Sequence, residues 1–268
     1  MLRRAHRLIE DYLRRIGQTK VPDLSQLVRA HLSHIPFENL SVLAGQPVWL
    51  DDDSLLAKLI RQKRGGYCFE QNTLFQRVLE KLGYELTPLQ ARVRRGVHEV
   101  RPNTHKLLRV RYHDQDYLVD VGFGGEGPSR PLPWGTTQEF QPGVKHRMVQ
   151  EDGLWVLQNQ HDGEDWVDLY ATDNRRAEQV DYEMANWFTS THPGSLFVNS
   201  MLVSLHHETG YMMLFDGLLR RRRNGVTHQT RLQEESEIRR ILEDEFDLTI
   251  PPGMRVPLNA APASRHLL

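Results

Sequence analysis

Apolar residues recur at helical spacing through the first 83 positions of this chain and at alternate positions after them, so the sequence reads as helices followed by a β-barrel or sandwich. Leu8-Ile9-Tyr12-Leu13, Leu24-Leu27-Val28-His31 and Leu55-Leu56-Leu59-Ile60 each draw one apolar stripe along a helix. Leu74, Phe75, Val78, Leu79 and Leu82 draw a fourth, with Gly83 as its stop. From about 84 to 190 the chain carries short alternating runs and turn signals, such as the stretch from Val156 to Tyr170. The remainder begins at Thr191-His192-Pro193-Gly194-Ser195, adds strand-like Met201 to Leu205 and Tyr211 to Phe215, and predicts a helix around Glu234 to Phe246. No internal repeat or low-complexity linker interrupts the 268 residues. The class is therefore α+β, with regions 1–83, 84–190 and 191–268 expected as layers of one unit and an active site between the first two.

Composition excludes several classes of function. A formal net charge of −1 gives no overall electrostatic reason to bind nucleic acid or an anionic membrane. The chain has one cysteine, which rules out an intrachain disulfide and points to a reducing, cytoplasmic setting. Charges interrupt every apolar stretch in the first 17 residues, which read as an amphipathic helix rather than a signal peptide. No run reaches the ~18 to 20 apolar residues that a membrane span needs.

The lone cysteine, Cys68, sits in Arg64-Gly65-Gly66-Tyr67-Cys68-Phe69-Glu70 at the start of the fourth helix. Unpaired N–H groups and the positive end of the helix dipole favour a thiolate there, and Arg64 adds a cation. A single cysteine is by itself more often an inert packing residue. A base and an orienting carboxylate downstream weigh against that. Thr104 to Tyr112 predicts a strand, His113 to Asp116 a polar turn, and Tyr117 to Gly122 the returning strand. Cross-strand partners in such a hairpin have opposite parity, so His105 and Asp120 are allowed on one face. Cys68, His105 and Asp120 then form a candidate triad like that of a cysteine protease, although His98 and His113 lie almost as near in sequence.

Other motifs carry less. Gly122 to Gly127 fits G-x-G-x-x-G after a strand, but Pro128-Ser129-Arg130-Pro131-Leu132-Pro133 cannot open a helix, which removes the dinucleotide reading and leaves a glycine-rich turn beside Asp120. Arg220 to Arg223 before Asn224-Gly225 predicts a solvated hairpin in preference to a phosphate clamp, since alternate strand residues point to opposite faces. His31 with His34, and His206-His207-Glu208, lack a third ligand at a recognisable spacing, so no metal is expected. Asp51-Asp52-Asp53 predicts a helix cap.

The stretch from Arg64 to Phe75, with Ile35-Pro36-Phe37-Glu38-Asn39-Leu40 before it and Val119-Asp120-Val121-Gly122-Phe123-Gly124 after it, resembles the arylamine N-acetyltransferases, and the likeness runs to about Ser204. The resemblance implies a helical bundle, a central β-barrel and a C-terminal α/β lid. It implies the triad Cys68, His105 and Asp120, a structural ion pair of Glu38 with Arg64, and acceptor-pocket apolar residues Phe37, Val93, Phe123 and Phe197. Gly124, Gly125 and Gly127 would then admit the pantetheine or phosphates of acetyl-coenzyme A, a co-substrate rather than a bound cofactor. The expected reaction is a double displacement, in which Cys68 takes acetyl from the coenzyme and passes it to an arylamine, hydrazine or arylhydroxylamine. An amide synthase acting on a carrier-bound acyl chain, a thiol hydrolase or transglutaminase-like enzyme, and a non-catalytic binding protein are the alternatives. Oligomeric state is not readable from the sequence.

Overall fold

A computed structural model describes residues 2–95, 97 and 99–257. Four helices precede the cysteine helix: α1 (Leu2–Arg15), α2 (Leu24–His34), α3 (Leu40–Leu43) and α4 (Asp52–Leu55), the last continuing as a π-helical turn over Leu56–Arg61. The caps follow the sequence: the Asp23 carboxylate accepts from Gln26 N at 2.8 Å, and that of Asp51 from Ser54 N at 3.0 Å. Helix α5 (Cys68–Lys81) ends before Gly83, whose φ of 84° suits glycine. The predicted stripes meet in one core, where Tyr12, Leu27, Leu59, Phe75 and Leu79 pack together against Leu108, Val110 and Val119 of the following sheet. That contact presses α5 onto the strands that carry the rest of the site.

The sheet is eight-stranded: β2 (Glu85–Val93), β3 (His105–Tyr112), β4 (Gln115–Val119), β5 (Leu132–Pro133), β6 (Thr137–Gln141), β7 (Val144–Glu151), β8 (Leu154–His161) and β9 (Val167–Thr172). Its order is β5-β4-β3-β2-β9-β8-β7-β6. Residues 134–136 join the two edge strands, so the sheet curls into a nearly closed barrel around Leu89, Leu107, Leu118, Met148, Leu157 and Leu169. The β3–β4 turn is tighter than the predicted His113 to Asp116: only His113 and Asp114 form it, both at positive φ, and Tyr112 already pairs with Gln115. Strand β4 ends at Val119, which leaves Asp120 just beyond the ladder and free to turn inward.

The second sheet runs β1-β10-β11-β12-β13, built from β1 (Phe37–Glu38), β10 (Leu202–His207), β11 (Gly210–Phe215), β12 (Leu218–Arg223) and β13 (Val226–Arg231). Its edge strand β1 comes from the helical region, so the first and third regions share this sheet. Helix α8 (Glu235–Asp244) covers one face through Ile238, Ile241 and Leu242 against Met212, Leu214 and Leu219.

Two expectations need correction. A helix, α6 (Gln179–Thr191), occupies the end of the stretch read as strands and turns. Its apolar residues do not form a single stripe, because Val180, Met184 and Trp187 are exposed while Tyr182 and Ala185 are buried. The short α7 (Leu196–Asn199) follows it. The Arg220 to Arg223 hairpin turns at Asn224-Gly225 as predicted, with both residues at positive φ, but it is not simply solvated. Alternation sends Arg220 and Arg222 inward, toward Glu126 and Pro142 O, while Arg221 pairs with Glu245.

Candidate active site

Cys68 is the first residue of α5 and is buried. Two glycines let the preceding loop reach this position: a Cβ on Gly65 would lie 2.0 Å from Pro36 O, and one on Gly66 would lie 2.6 Å from Glu70 Oε2. The Glu70 carboxylate accepts from Tyr67 N at 3.2 Å and closes the first turn. The loop is pinned from the other side by Arg64, whose Nη2 and Nε donate to Glu38 Oε1 at 2.7 and 3.1 Å. Burial opposes ionisation of Glu38, but Lys58, Arg64 and the Leu40 N–H outweigh it and hold this carboxyl below the ordinary carboxylate range. The expected Glu38–Arg64 pair is thus present, with Lys58 bridging to Glu70 at 2.7 Å as a third member.

His105 opens β3 and its Nε2 lies 2.7 Å from Asp120 Oδ2. With Leu108 opposite Val119, continuing the register puts position 120 opposite 107, on the face His105 shares. Cys68 lines the same cavity as His105, and since Nε2 is taken by Asp120, Nδ1 is the ring nitrogen left to face the sulfur. Cys68 Sγ lies 3.6 Å from Thr104 O. Burial alone would lower the His105 pKa, but the Asp120 charge and hydrogen bond, joined by Cys68, outweigh it and raise it to about 10. Asp120 is pulled the other way: burial disfavours its charge, yet His105, Asn72 and the Gly122 N–H keep it ionised below the ordinary range.

Asp120 is held by groups the sequence reading did not select. Asn72 Nδ2 and Gly122 N donate to Oδ1, each at 2.9 Å, and Tyr170 OH donates to Oδ2 at 2.9 Å. Asn72 lies four residues after Cys68, one turn along the same buried face, and that spacing was the available signal. Tyr170 comes from β9 and had none. Gly122 permits the approach, since a Cβ there would lie 2.7 Å from both Cys68 Cα and Asn72 Nδ2.

Cys68 and His105 open into a cavity of about 520 Å³. Phe37, Val93, Phe123 and Phe197 all line it, joined by Phe188, Leu196 and Leu202. Gly124, Gly125 and Gly127 do not line it. They lie in the turn behind Phe123, where a Cβ on Gly125 would meet the Tyr211 ring at 2.8 Å. Beyond that turn is a second cavity, about 460 Å³, whose walls include Arg95, Glu126, Tyr211, Arg220 and Arg222. Arg95 lines both cavities, and Asn159 Nδ2 and Arg220 Nε are buried without a protein partner among the described residues. The histidines weighed as ligands are engaged elsewhere: His31 sits between Tyr12 OH and Gln71 Oε1, His34 Nδ1 lies 2.9 Å from Ala30 O, and His206 Nε2 meets Gly124 O.

A buried thiol lies beside a buried imidazole–carboxylate pair at one apolar cavity, the arrangement that acyl transfer through a cysteine would require. Comparison with known proteins gives the family. The model of the N-acetyltransferase family matches residues 20–254. The arylamine N-acetyltransferase / N-hydroxyarylamine O-acetyltransferase of Salmonella typhimurium is 33% identical over 237 residues, covering 86% of this chain and 84% of that protein. The solved structure of the Salmonella typhimurium arylamine N-acetyltransferase superposes with a TM-score of 0.85 at 31% identity, covering 92% of this chain and 94% of the other. That of the Mycobacterium marinum enzyme in complex with CoA gives 0.83 at 34% identity, covering 90% and 92%. This chain belongs to the arylamine N-acetyltransferase family.

Proposed function

We propose that this protein moves an acetyl group from acetyl-coenzyme A to the nitrogen of arylamines and hydrazines, and to the oxygen of arylhydroxylamines, through an acetyl thioester on Cys68. The observation that carries this reading is that Cys68 and His105, the latter bound to Asp120, line one apolar cavity in a chain of this family. The sulfur attacks the coenzyme's thioester carbonyl, the S–acetyl bond forms, and the coenzyme thiolate leaves with the proton that His105 held. The acceptor nitrogen then attacks the new thioester, its proton passes to His105, and Cys68 leaves as a thiolate facing an imidazolium again. Asp120 keeps the imidazole oriented throughout. In this reading the helical region 1–83 supplies the nucleophile, 84–190 the histidine and aspartate, and 191–268 the cover over the cavity.

The coenzyme has two distinct ends, and the two cavities differ in the same way. The acyl end belongs in the Cys68 cavity. Its phosphates are assigned to the second cavity, where Arg95, Arg220 and Arg222 stand among Glu126, Asp162 and Glu164, with the turn of Gly124, Gly125 and Gly127 between the two cavities as the bridge for the pantetheine arm. Phe37, Val93, Phe123 and Phe197 form the slot for the flat acceptor. Initial rates measured over both substrates test the order of events: parallel lines support two separated half-reactions, and intersecting lines favour direct transfer in a ternary complex.

A further inference from the structure

Three arginines and three carboxylates line the second cavity, so its formal charge cancels with His161 neutral. The carboxylates are not equivalent. Asp162 and Glu164 are exposed to water, whereas the Glu126 side chain is only 10% exposed and lies between two enclosed guanidiniums. Arg95 Nη1 is 3.6 Å from Glu126 Oε2, and Arg220 Nη1 donates to Oε1 at 3.3 Å. Neither reaches the ~2.7–2.9 Å of a tight arginine–carboxylate pair. Arg220 Nε is buried without a partner among the described residues. Burial pulls the Arg95 pKa down, and the Glu126 charge is the first to oppose it, which marks this carboxylate as the counter-ion. Glu126 thus neutralises both cations without using up their donors.

The turn that bears Glu126 is fixed in its backbone. Gly127 N donates to Gly124 O at 3.1 Å, while His206 Nε2 and His146 Nε2 lie 3.3 and 2.9 Å from Gly124 O and Glu126 O. Glycines flank Glu126 on both sides, so rotation about its own side-chain bonds moves the carboxylate while the turn stays in place.

We propose that Glu126 is an internal anion that holds the place of a coenzyme phosphate: it neutralises Arg95 and Arg220 in the free protein and swings aside when the phosphates pair with them. The inference rests on the assignment of those phosphates to this cavity and adds how the site is regulated. A phosphate brings more charge and more acceptor oxygens than a carboxylate, and it offers a partner to the uncommitted Arg220 Nε. The two anions cannot share the pair of arginines, because like charges a few ångströms apart in an enclosed site repel. Displacing Glu126 therefore weakens the hold on acetyl-coenzyme A. Its return helps expel coenzyme A once Cys68 carries the acetyl group, which clears the way for the acceptor.

The test compares two acetyl donors on the full chain, acetyl-coenzyme A and S-acetylpantetheine, which has the same thioester arm and no phosphate. Acetylation of Cys68 is followed by mass, and the S-acetylpantetheine rate is the reference within each variant. Glu126→Gln should raise the preference for acetyl-coenzyme A by about tenfold in kcat/KM, because the arginines lose their competing charge. Added salt should shrink that gain. Glu126→Asp, which keeps the charge, should leave the preference near that of the unaltered protein, and Glu126→Ala serves as a second neutral variant that needs no room. Inorganic pyrophosphate should slow acetylation by acetyl-coenzyme A more strongly in Glu126→Gln than in the unaltered protein. An unchanged or lower preference in Glu126→Gln, an equal rise in Glu126→Asp, or failure of both neutral variants to fold would overturn the proposal. Equal use of both donors by every variant would also overturn it, while leaving the cysteine chemistry intact. No acetyl on Cys68 of the unaltered protein from either donor would overturn the transferase reading itself, and this inference with it.

Discussion

Asn72 Nδ2 donates to Asp120 Oδ1 at 2.9 Å, which ties the carboxylate behind His105 to the helix whose first residue is Cys68. The same amide donates to Lys106 O at 2.6 Å and accepts from Val121 N at 3.0 Å. One side chain therefore sets the distance between α5 and both arms of the hairpin. Replacing it with alanine takes one of two donors from a buried carboxylate oxygen and removes the partner of a carbonyl and of an N–H. Asn72→Ala should lower stability by ~1–3 kcal/mol and slow acetyl transfer with it. Thermal melting and the rate of acetyl transfer measure both, and a variant with wild-type values in each would remove Asn72 from this role.

His105 should be an imidazolium across the neutral range, because its pKa in the folded protein is raised to about 10. Its contribution to stability is fully present below the unfolded value of ~6.5 and is lost as pH rises through the folded one. An NMR titration of its ring protons should show no inflection near ~6.5 and one at high pH. Asp120→Asn removes the charge that raises it. That variant should move the inflection downward and cut acetyl transfer by ~10²–10⁴-fold. A histidine that titrates at its ordinary value in the unaltered protein would contradict the ion-pair account.

Arg64→Ala would leave Glu38 buried with only Lys58, at 4.0 Å, to balance it. Breaking a buried pair from one side costs ~3–5 kcal/mol, and the loss should appear as a lower melting temperature. Glu38 has a depressed pKa in the folded state, so its stabilisation is present above the unfolded value of ~4.3 and is lost as pH falls through the folded one. Melting curves should therefore show the stability gap between the two proteins narrowing under acid. Equal melting temperatures at neutral pH would show the pair to be dispensable.

Gly122→Ala tests the closeness of the hairpin to α5. The added methyl would meet the Cys68 backbone and the Asn72 amide at 2.7 Å, and neither is the loose end of a flexible side chain. Overpacking of this kind costs ~1–3 kcal/mol, and here the displacement moves Asp120 away from the cysteine helix. The variant should lose acetyl transfer out of proportion to its loss of stability. Full activity in a stably folded Gly122→Ala would mean that the approach is looser than the distances indicate.

The helical stripes, the cysteine at a helix start and the hairpin were legible because each is written within a few turns of contiguous chain. Parity alone allowed His105 and Asp120 to share a face, and the tight His113–Asp114 turn supplied the register that parity could not. Tyr170 was invisible, since it reaches Asp120 only after the barrel brings β9 beside β2. Helix α6 was missed because three of its apolar residues face outward and blur its period. The inward arginines of β12 were read as solvated because the sequence does not show that Glu126, far along the chain, lies against them. The Phe37, Val93, Phe123 and Phe197 wall came from the family resemblance, as no spacing links those four positions.

The central claim is a covalent acetyl-cysteine, and mass spectrometry of the protein mixed with acetyl-coenzyme A alone tests it most directly. The account predicts rapid release of one equivalent of coenzyme A, a gain of one acetyl group on the peptide containing Cys68, and discharge of that group when an arylamine is added. Cys68→Ala should show neither release nor gain. Transfer of acetyl to the arylamine by a protein that never carries the group on Cys68 would contradict it.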